Sequence, residues 1–364
     1  MSENVNVSEN AKNETSLEGT STWASIAGVL TEMKFEEGET SNKRKVIKLT
    51  CTIDTGDLEN PNHIIVTAQA WDKFEDKPKT KYYDSIMTAY KEYKPMSQLE
   101  DEDYIREIFK TMPANEATEE KAKEKFANLS NEQKREIAFN IATKVQAINC
   151  RFDPNTYVSN DEVKFVQKFT ANCFSSTFKK GYEPKAIITI DRGYVESIKP
   201  ETAQKGEDRE ETGRGIMTLL LPVTVNKDYP TCPIERVEVY LETVNDTDWY
   251  EAVQDAYEKG QTGKFYLSPV NRKIETVRYE RKMGGGQREV KSTTYKNELI
   301  LVDGNDPYDE DIESEAKKIY SSEAIRNALS ERTIWIENEK KKKNEPKTNN
   351  TQTSNSRAKG NLGF

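Results

Sequence analysis

The sequence has little histidine and little cysteine, which excludes several classes of site. Its 364 residues include one histidine, His63, and four widely separated cysteines, Cys51, Cys150, Cys173 and Cys232. A structural zinc site needs clustered ligands such as a C-x-x-C pair, and none is present. A disulfide framework is typical of short secreted chains, so the sequence favours the reducing cytoplasm. We therefore expect no metal site and no cofactor.

Long apolar runs are also absent. Hydrophobic residues make up 34% of the chain and charged residues 32%. No run reaches the roughly 18 apolar residues that a membrane span needs, and the polar N-terminus lacks an apolar signal core. The formal net charge is −9. This charge disfavours a simple polycation, but it is compatible with a local basic groove inside an acidic envelope, because the local field steers a ligand.

Motifs for catalysis are scarce. The tripeptide Asp54-Thr55-Gly56 matches that of aspartic proteases, but those enzymes need two such carboxylates, and here the motif is interpreted as a turn. Residues 279–295 read YERKMGGGQREVKSTTY and contain the Gly-Gly-Gln of peptide-release factors. That function needs a codon-reading domain and a larger helical architecture, which the sequence does not indicate. With no P-loop, nucleophile elbow or HExxH motif either, the chain is predicted not to be an enzyme.

Strand patterns dominate what is present, and they occur in a repeated order. Residues 45–53, KVIKLTCTI, alternate between two faces, which predicts a half-buried strand. Each half reads strand, charged loop, strand, Pro-containing turn and strand, at a spacing of roughly 160 residues. Gly28 in the first half matches Gly193 in the second. A helical segment and then two further strands follow in each half, and the helical segment of the first half is a long insertion.

This order resembles the tandem OB-fold single-stranded DNA-binding proteins of replication, especially those encoded by bacteriophages. The matching phrases are GYVESIKPE with ETGRGIMTLLLPV, DWYEAVQDAYEKGQTGKFYL, and NTYVSNDEVKFVQKFTANCF. The resemblance covers residues 22–305 and implies a mainly β (α+β) fold with two five-stranded OB barrels in tandem. The expected divisions are a disordered tail at 1–20, a first barrel at 21–180 with a helical insertion at about 81–144, a second barrel at 181–305, a linker and C-terminal helix at 306–340, and a disordered basic tail at 341–364.

The resemblance implies a non-enzymatic protein that coats and protects single-stranded DNA during phage replication or recombination, in the cytoplasm of the bacterial host. Single-stranded RNA is the alternative ligand. The alternative function is an OB-fold interaction module or virion component that binds no nucleic acid. The helix predicted over residues 321–343 is expected to pack on the second barrel; the alternatives are that it mediates self-association or recruits a replication partner. The terminal Phe364 is a second candidate for partner docking, although the preceding residues are basic instead of acidic.

Single-strand binding needs cations for phosphates and aromatic rings for bases. OB-folds place both on strands 2 and 3 and on the loops joining strands 1–2 and 4–5. The residues expected to supply them are Lys34, Phe35, Lys43, Arg44, Lys45, Lys48, Trp71, Lys73, Tyr157, Phe165, Lys168, Arg192, Tyr194, Arg214, Arg236, Tyr240, Tyr266, Arg272, Arg281, Lys282 and Arg288.

Some of these residues have structural alternatives. Trp71 and Phe165 are equally compatible with barrel core, and the lysines with a solvated surface. Period-two spacing places Tyr240 on the outward face with Arg236, where it is expected to be exposed. Tyr157 is expected at the tip of the hairpin in the first half. In the second half, the glycine-rich basic hairpin is interpreted as a mobile finger over the strand, or as a surface hairpin without a ligand.

Overall fold

The computed structural model describes residues 17–205, 208–223, 231–281 and 287–344, and it confirms a mainly β fold. The strands of the first half are β1 (Thr22–Glu39), β2 (Lys45–Asp54), β3 (His63–Trp71), β4 (Lys144–Ile148), β5 (Arg151–Ser159), β6 (Glu162–Ala171) and β7 (Cys173–Ser175). Between β3 and β4 lie α1 (Tyr83–Glu92), α2 (Asp101–Thr111), α3 (Glu119–Ala127) and α4 (Asn131–Ile141). The later elements are β8 (Lys185–Lys205), β9 (Asp208–Pro222), β10 (Ile234–Leu241), β11 (Thr243–Val244), β12 (Thr247–Asp248), α5 (Trp249–Ala256), β13 (Thr262–Arg281), β14 (Gln287–Gly304), α6 (Glu313–Ala316) and α7 (Ser322–Asn344).

The second half is a closed five-stranded barrel. Its strands are hydrogen-bonded in the order β8-β9-β10-β14-β13, and β13 returns to pair with β8. Strands β10 and β14 are parallel, joined at Tyr240 and Ile300, and the other pairs are antiparallel. Helix α5 lies between the third and fourth strands, as expected for an OB-fold. Its first turn is capped by the Asp248 side chain, which accepts from the backbone N–H groups of Tyr250 and Glu251 at 3.0 and 3.2 Å.

The first half repeats this strand order but closes differently. Its strands run β1-β2-β3-β6-β5, with β3 and β6 parallel. The remaining gap between β5 and β1 is bridged by one antiparallel pair, Ala24 with Cys150, and by β4, which pairs with β1. The chain changes direction at Asn149, whose φ of 49° is in the left-handed region. Strands β4 and β5 are therefore separate, although only Asn149 and Cys150 lie between them.

The insertion between β3 and β4 has a small apolar core of its own. Ile108, Met112 and Ala122 are buried there, with Phe126 and Ile137 packed around them. Helices α3 and α4 begin with side-chain caps from Thr118 and Ser130.

The two halves share one sheet because β1 pairs with β8 over residues 22–27 and 185–190. A second connection comes from the turn after β2. The Asn62 side chain donates to the Pro269 carbonyl at 2.9 Å and accepts from the Asn271 N–H at 2.9 Å. It therefore makes the two hydrogen bonds that a neighbouring strand would make, at the edge of β13.

Two antiparallel hairpins project from this framework. In the first half, residues 153–159 belong to β5, so the expected loop with Tyr157 at its tip is wrong. The tip is formed by Asn160 and Asp161, with φ angles of 51° and 61°. An Asn-Asp pair tolerates this conformation, which suits a tight hairpin.

The hairpin of β13 and β14 is much longer. The two strands pair from Phe265 with Gly304 to Arg281 with Gln287, with one register shift between Tyr266 and Leu267. Among the described residues, β13 pairs with β8 only up to Leu267, and β14 pairs with β10 only at Ile300. From residue 272 outward, the hairpin is a two-stranded ribbon about 35 Å long. Its three glycines at 284–286 lie outside the described residues.

The C-terminal helix α7 packs on the second barrel. Ile325 and Ala328 are buried against Ile234 and Leu220. Thr20, which the predicted tail over residues 1–20 includes, is joined to the second barrel, because its N–H donates to the Pro222 carbonyl at 2.8 Å. Residues 1–16 and 345–364, including the basic tail and Phe364, lie outside the described residues.

No helix among the described residues combines the length and the apolarity needed to cross a bilayer. In the same part of the chain, no three His, Cys, Asp or Glu side chains form a group that could hold a metal ion.

The Asp54-Thr55-Gly56 segment forms a turn. The buried Asp54 carboxylate accepts from the N–H groups of Gly56 and Asn62 at 3.0 and 2.8 Å, and it lies 3.5 Å from Nε2 of His63. Burial opposes the charge on Asp54, but the bonds from His63 and the backbone outweigh it and hold the pKa of Asp54 below its usual value. The Asp54 bond in turn raises the pKa of His63.

This pair gives a prediction for pH dependence. The Asp54 contribution to stability is present above the unfolded pKa of about 3.9 and is lost as the pH falls through its lowered folded pKa. The His63 contribution is present below about pH 6.5 and is lost as the pH rises through its raised folded pKa. Above pH 6.5 we expect the unfolding free energy of the wild-type protein to decline by less than about 1 kcal/mol, because the imidazole is half exposed. The His63→Gln variant should not show this decline.

NMR titration can measure the pKa directly, because His63 is the only histidine of the sequence. Urea unfolding of both proteins across the same pH range supplies the stabilities. An imidazole pKa at or below 6.5 would contradict the prediction.

Candidate nucleic-acid interface

A groove of about 390 Å³ separates the β5–β6 hairpin from the outer face of the second barrel. The hairpin forms one wall, β10 and β14 form the opposite wall, and α7 contributes a single residue. The lining residues are Thr156, Val163, Lys164, Phe165, Gln167, Arg236, Glu238, Tyr240, Lys296, Asn297, Leu299 and Arg332. The groove therefore combines elements from both halves of the chain.

Four cationic side chains and one carboxylate line this groove. The cations are Lys164, Arg236, Lys296 and Arg332, and the carboxylate is Glu238. Three of the cations have acidic neighbours in the described chain. Lys164 Nζ lies 3.7 Å from Glu162, Arg236 Nη2 lies 2.6 Å from Glu196, and Lys296 Nζ lies 3.1 Å from Glu298. Cations therefore outnumber carboxylates among the lining side chains, although carboxylates just outside the lining pair with three of the four.

Exposed rings lie in and beside the groove. Phe165 lines it with 41% of its surface exposed, and Tyr157 on the paired strand is 40% exposed. The structure excludes the alternative of barrel core for Phe165. Tyr295 is 65% exposed and lies two residues from Asn297 on β14. Such rings are suitable for stacking on bases.

Tyr240 reaches the groove but is not exposed, so that prediction is wrong. The alternation along β10 is as expected, with Val237, Val239 and Leu241 in the core. However, the Arg214 guanidinium lies 4.8 Å from the centre of the Tyr240 ring, and Lys296 Nζ lies 4.4 Å from it. Lys296 also donates to the tyrosine hydroxyl at 2.5 Å. Only 6% of the tyrosine is exposed, because side chains of neighbouring strands cover it.

Arg214 and Arg272 are committed to an ion-pair network. Arg214 donates to three carboxylates: its Nε to Glu201 at 2.8 Å, and its Nη1 to Glu242 at 3.0 Å and to Glu298 at 3.1 Å. Arg272 lies 2.7 Å from both Glu242 and Glu298. Burial disfavours the Glu298 charge, but hydrogen bonds from Arg214 and Lys296 hold the pKa of Glu298 below its usual value. This network neutralises the two arginines predicted to bind phosphate.

Most residues predicted in the first half also have protein partners. The Glu36 carboxylate forms salt bridges with Lys34 at 2.9 Å and with Lys48 at 3.3 Å. The Phe35 ring stacks on Tyr90 at 4.1 Å between centroids.

The remaining predicted residues of the first half lie near the loop after β3 or at the β1–β2 turn. Arg44 donates to the backbone carbonyls of Asp72 and Pro78 at 2.6 and 2.7 Å, so it braces that loop. Trp71 is half-buried. Lys43, Lys45 and Lys73 are exposed, and none of them lines the groove.

Arg192 and Tyr194, which were predicted to contact a strand, are both buried in the structure. Arg192 pairs with Glu18 at 3.0 Å and donates to the Gly19 carbonyl, and it thereby fixes the N-terminal segment. Tyr194 is 7% exposed and its hydroxyl lies 3.5 Å from Ser322 Oγ. Both residues therefore join the second barrel to the chain ends.

The other predicted residues are scattered. Lys168 lines a second cavity of about 310 Å³, and Tyr266 is half-buried beneath Lys264, whose Nζ lies 5.2 Å from its ring centre. Arg288 is exposed on the ribbon. Arg281 ends β13, but its side chain and the whole of Lys282 lie outside the described residues.

The set of residues predicted above does not include Lys164, Lys296 or Arg332. Lys164 follows from hairpin alternation, because it faces Tyr157 in the register of β5 and β6. Lys296 lies two residues before the buried Glu298, where alternation gives the same face. Nothing in the sequence indicates that Arg332 reaches the groove, because that placement depends on how α7 packs.

Comparisons with known proteins give one family and two solved structures. The family model described as YorF matches residues 117–342. The chain is 10% identical to the wild-type single-stranded DNA-binding protein from Thermus aquaticus, with a TM-score of 0.36, covering 80% of this chain and 95% of that chain. For a deletion mutant of the same protein the identity is 9% and the TM-score 0.37, covering 80% and 96%. No curated protein matches the chain.

Proposed function

The chain belongs to the YorF family, whose name states no activity, and we propose from the geometry of the groove that it binds single-stranded DNA. One observation carries this proposal. Four cations and an exposed phenylalanine line one groove between the β5–β6 hairpin and the second barrel. Cations that follow the phosphates, together with rings that stack on bases, are what binding without sequence preference requires.

The two walls of the groove suit different parts of a nucleotide. Phe165 lies on the hairpin wall, where a ring that stacks on a base contributes about 1–3 kcal/mol. Arg236 and Lys296 lie on the barrel wall, where they suit phosphates. Bases would therefore face the hairpin, and the sugar–phosphate backbone would follow β10 and β14.

The sequence of the ribbon is richer in cations than the chain as a whole. Residues 270–297 contain eight Lys or Arg and three Glu, whereas the whole chain has a net charge of −9. Lys296 and Asn297 at the base of the ribbon line the groove, so the ribbon begins where the groove ends. A strand leaving the groove would meet this positive arm, and its phosphates would attract it.

Duplex DNA is a poor fit for this arrangement. Stacking on Phe165 requires an unpaired base whose flat face is accessible, and a paired base presents only its edge. We therefore expect a preference for single strands. The proposed role is coating and protection of single-stranded DNA during replication or recombination, without catalysis, in the cytoplasm; a bacteriophage setting stays a prediction.

Binding is tested by titrating intrinsic tryptophan fluorescence, or the anisotropy of a labelled oligo-dT of about 30 nucleotides, at several salt concentrations. We expect binding at low salt that weakens with a slope of about −2 to −3 in log K against log [salt], for three or four phosphate contacts. Oligo-U and duplex DNA of equal length serve as comparisons. Absence of a complex at low salt, or equal affinity for the duplex, would contradict the proposal and favour a protein-binding role.

A further inference from the structure

Arg332 differs from the other cations of the groove. Lys164, Arg236 and Lys296 each lie within 4 Å of a carboxylate. Among the described residues, Arg332 forms no ion pair. Its Nη2 lies 3.4 Å from the Thr156 hydroxyl, and its buried Nε has no hydrogen-bond acceptor there. The guanidinium is half-buried and therefore partly desolvated, so an anionic partner would compensate for lost hydration.

We infer that Arg332 is the principal phosphate-binding residue of the groove, and that α7 is part of the nucleic-acid site. This inference rests on the proposed function. A phosphate that binds Lys164, Arg236 or Lys296 must compete with a carboxylate already in place, so the net gain is small. A phosphate that binds Arg332 displaces no ion pair, so its full charge-assisted hydrogen bond contributes to affinity.

A buried junction fixes the position of Arg332. Glu235 of β10 is 2% exposed, and its carboxylate accepts from the Thr156 N–H at 3.0 Å and from the Thr156 hydroxyl. Thr156 belongs to β5 and Arg332 to α7, so the first half, the second barrel and the C-terminal helix meet here. Burial raises the pKa of Glu235 and the nearby Arg332 charge opposes that rise, but among the described contacts no hydrogen bond or ion pair joins these two side chains.

The packing of α7 supports the same conclusion. Ile325 and Ala328 bury the first turns of the helix against the second barrel, and Arg332 follows one turn later. A helical residue at this distance from a buried anchor has a fixed direction, which a residue in a loop would lack. The guanidinium is therefore held at the groove before any ligand arrives, and little conformational entropy is lost when a phosphate binds.

The test compares Arg332→Gln with Arg326→Gln, a matched control that removes the same charge from an exposed position on α7. The probe is labelled oligo-dT, titrated at several salt concentrations with the full chain. We expect Arg332→Gln to weaken binding about tenfold and to reduce the magnitude of the salt slope by about 0.7, the value for one phosphate on a single strand. Arg326→Gln should change neither. Arg236→Gln should have a smaller effect than Arg332→Gln.

The salt slope separates phosphate binding from a purely structural role, which would lower the melting temperature and leave the slope unchanged. If Arg332→Gln does not fold, modification of the arginines of the wild-type protein by phenylglyoxal can test whether Arg332 binds the oligonucleotide. Bound oligo-dT should then protect Arg332, as read by mass spectrometry, and leave Arg326 reactive.

Two outcomes have different meanings. If the wild-type protein binds oligo-dT but Arg332→Gln keeps its slope, or Arg332 is not protected, the inference is overturned and the proposed function stands. If the wild-type protein does not bind oligo-dT, the proposed function itself fails.

Discussion

Replacing Gly28 with alanine is expected to destabilise the protein by about 3 kcal/mol or more, because β1 and the end of β2 approach too closely for a side chain. A Cβ atom at this position would lie 2.1 Å from the Asp54 carbonyl oxygen and 2.7 Å from its carbonyl carbon. Both are backbone atoms, which cannot rotate away as a side chain can. The strands would have to separate where the Asp54 turn and its bonds to Asn62 begin.

Gly38→Ala is the matched control for Gly28→Ala, because it lies on the same strand. Its Cβ would meet only a Val46 methyl at 3.3 Å, and the residue is exposed. We expect the free energy of unfolding to change by no more than about 1 kcal/mol. Replacing glycine also reduces the entropy of the unfolded chain, which offsets part of any loss. Urea unfolding followed by circular dichroism gives both free energies. Equal unfolding midpoints for the two variants would show that the strands can adjust, and would contradict this account of β1.

Gly28 also shows how much of the fold the sequence can predict. Its match to Gly193 was visible in the sequence, and both glycines lie in the first strand of a five-strand set. A Cβ on Gly193 would lie 3.0 Å from the Phe265 ring, so this position is also crowded. Alternation along β10 was equally visible, because a strand with one buried face repeats every two residues. Local patterns of this kind therefore predicted strand order and faces well.

The site was harder to predict because its accessibility is decided by residues distant in sequence. Tyr240 lies on the outward face, as alternation indicates, but Arg214 and Lys296 from the two neighbouring strands cover it. Alternation gives the direction of a side chain and not what lies above it. The groove itself depends on the junction of Thr156, Glu235 and Arg332, which brings together three elements separated by up to 176 residues. No local pattern encodes such a junction.

The Arg214 network should be structural, and Arg214→Met is expected to lower the unfolding free energy by about 3 kcal/mol. Glu298 is only 3% exposed, and the substitution removes one of the cations that compensate its buried charge. Glu201 also loses its arginine partner. Arg236→Met removes an arginine that is 47% exposed and pairs with one carboxylate, so it should cost less than about 1 kcal/mol. Urea unfolding at neutral pH measures both variants.

At acid pH, the difference in unfolding free energy between the wild-type protein and Arg214→Met should become smaller. The Arg214 bond lowers the pKa of Glu201, and the network lowers that of Glu298 despite its burial. Stability from a lowered carboxylate pKa is present above the unfolded value of about 4.3 and is lost as the pH falls through the folded pKa. The two unfolding free energies should therefore converge as the pH falls below about 4.3. A difference that persists unchanged in acid would show that Arg214 stabilises by packing on Tyr240 and not by charge.

Arg214 and Arg332 together separate the two roles that a cation can have on this surface. Arg214 donates to three carboxylates, so its loss should reduce stability and leave the salt slope of oligo-dT binding unchanged. Arg332 donates to no carboxylate in the described chain, so its loss should change the slope. A flatter slope for Arg214→Met, measured below the onset of unfolding, would mean that phosphates displace the glutamates. The ion-pair network would then be part of the binding surface, and the single strand would extend from the groove across the outer face of the second barrel.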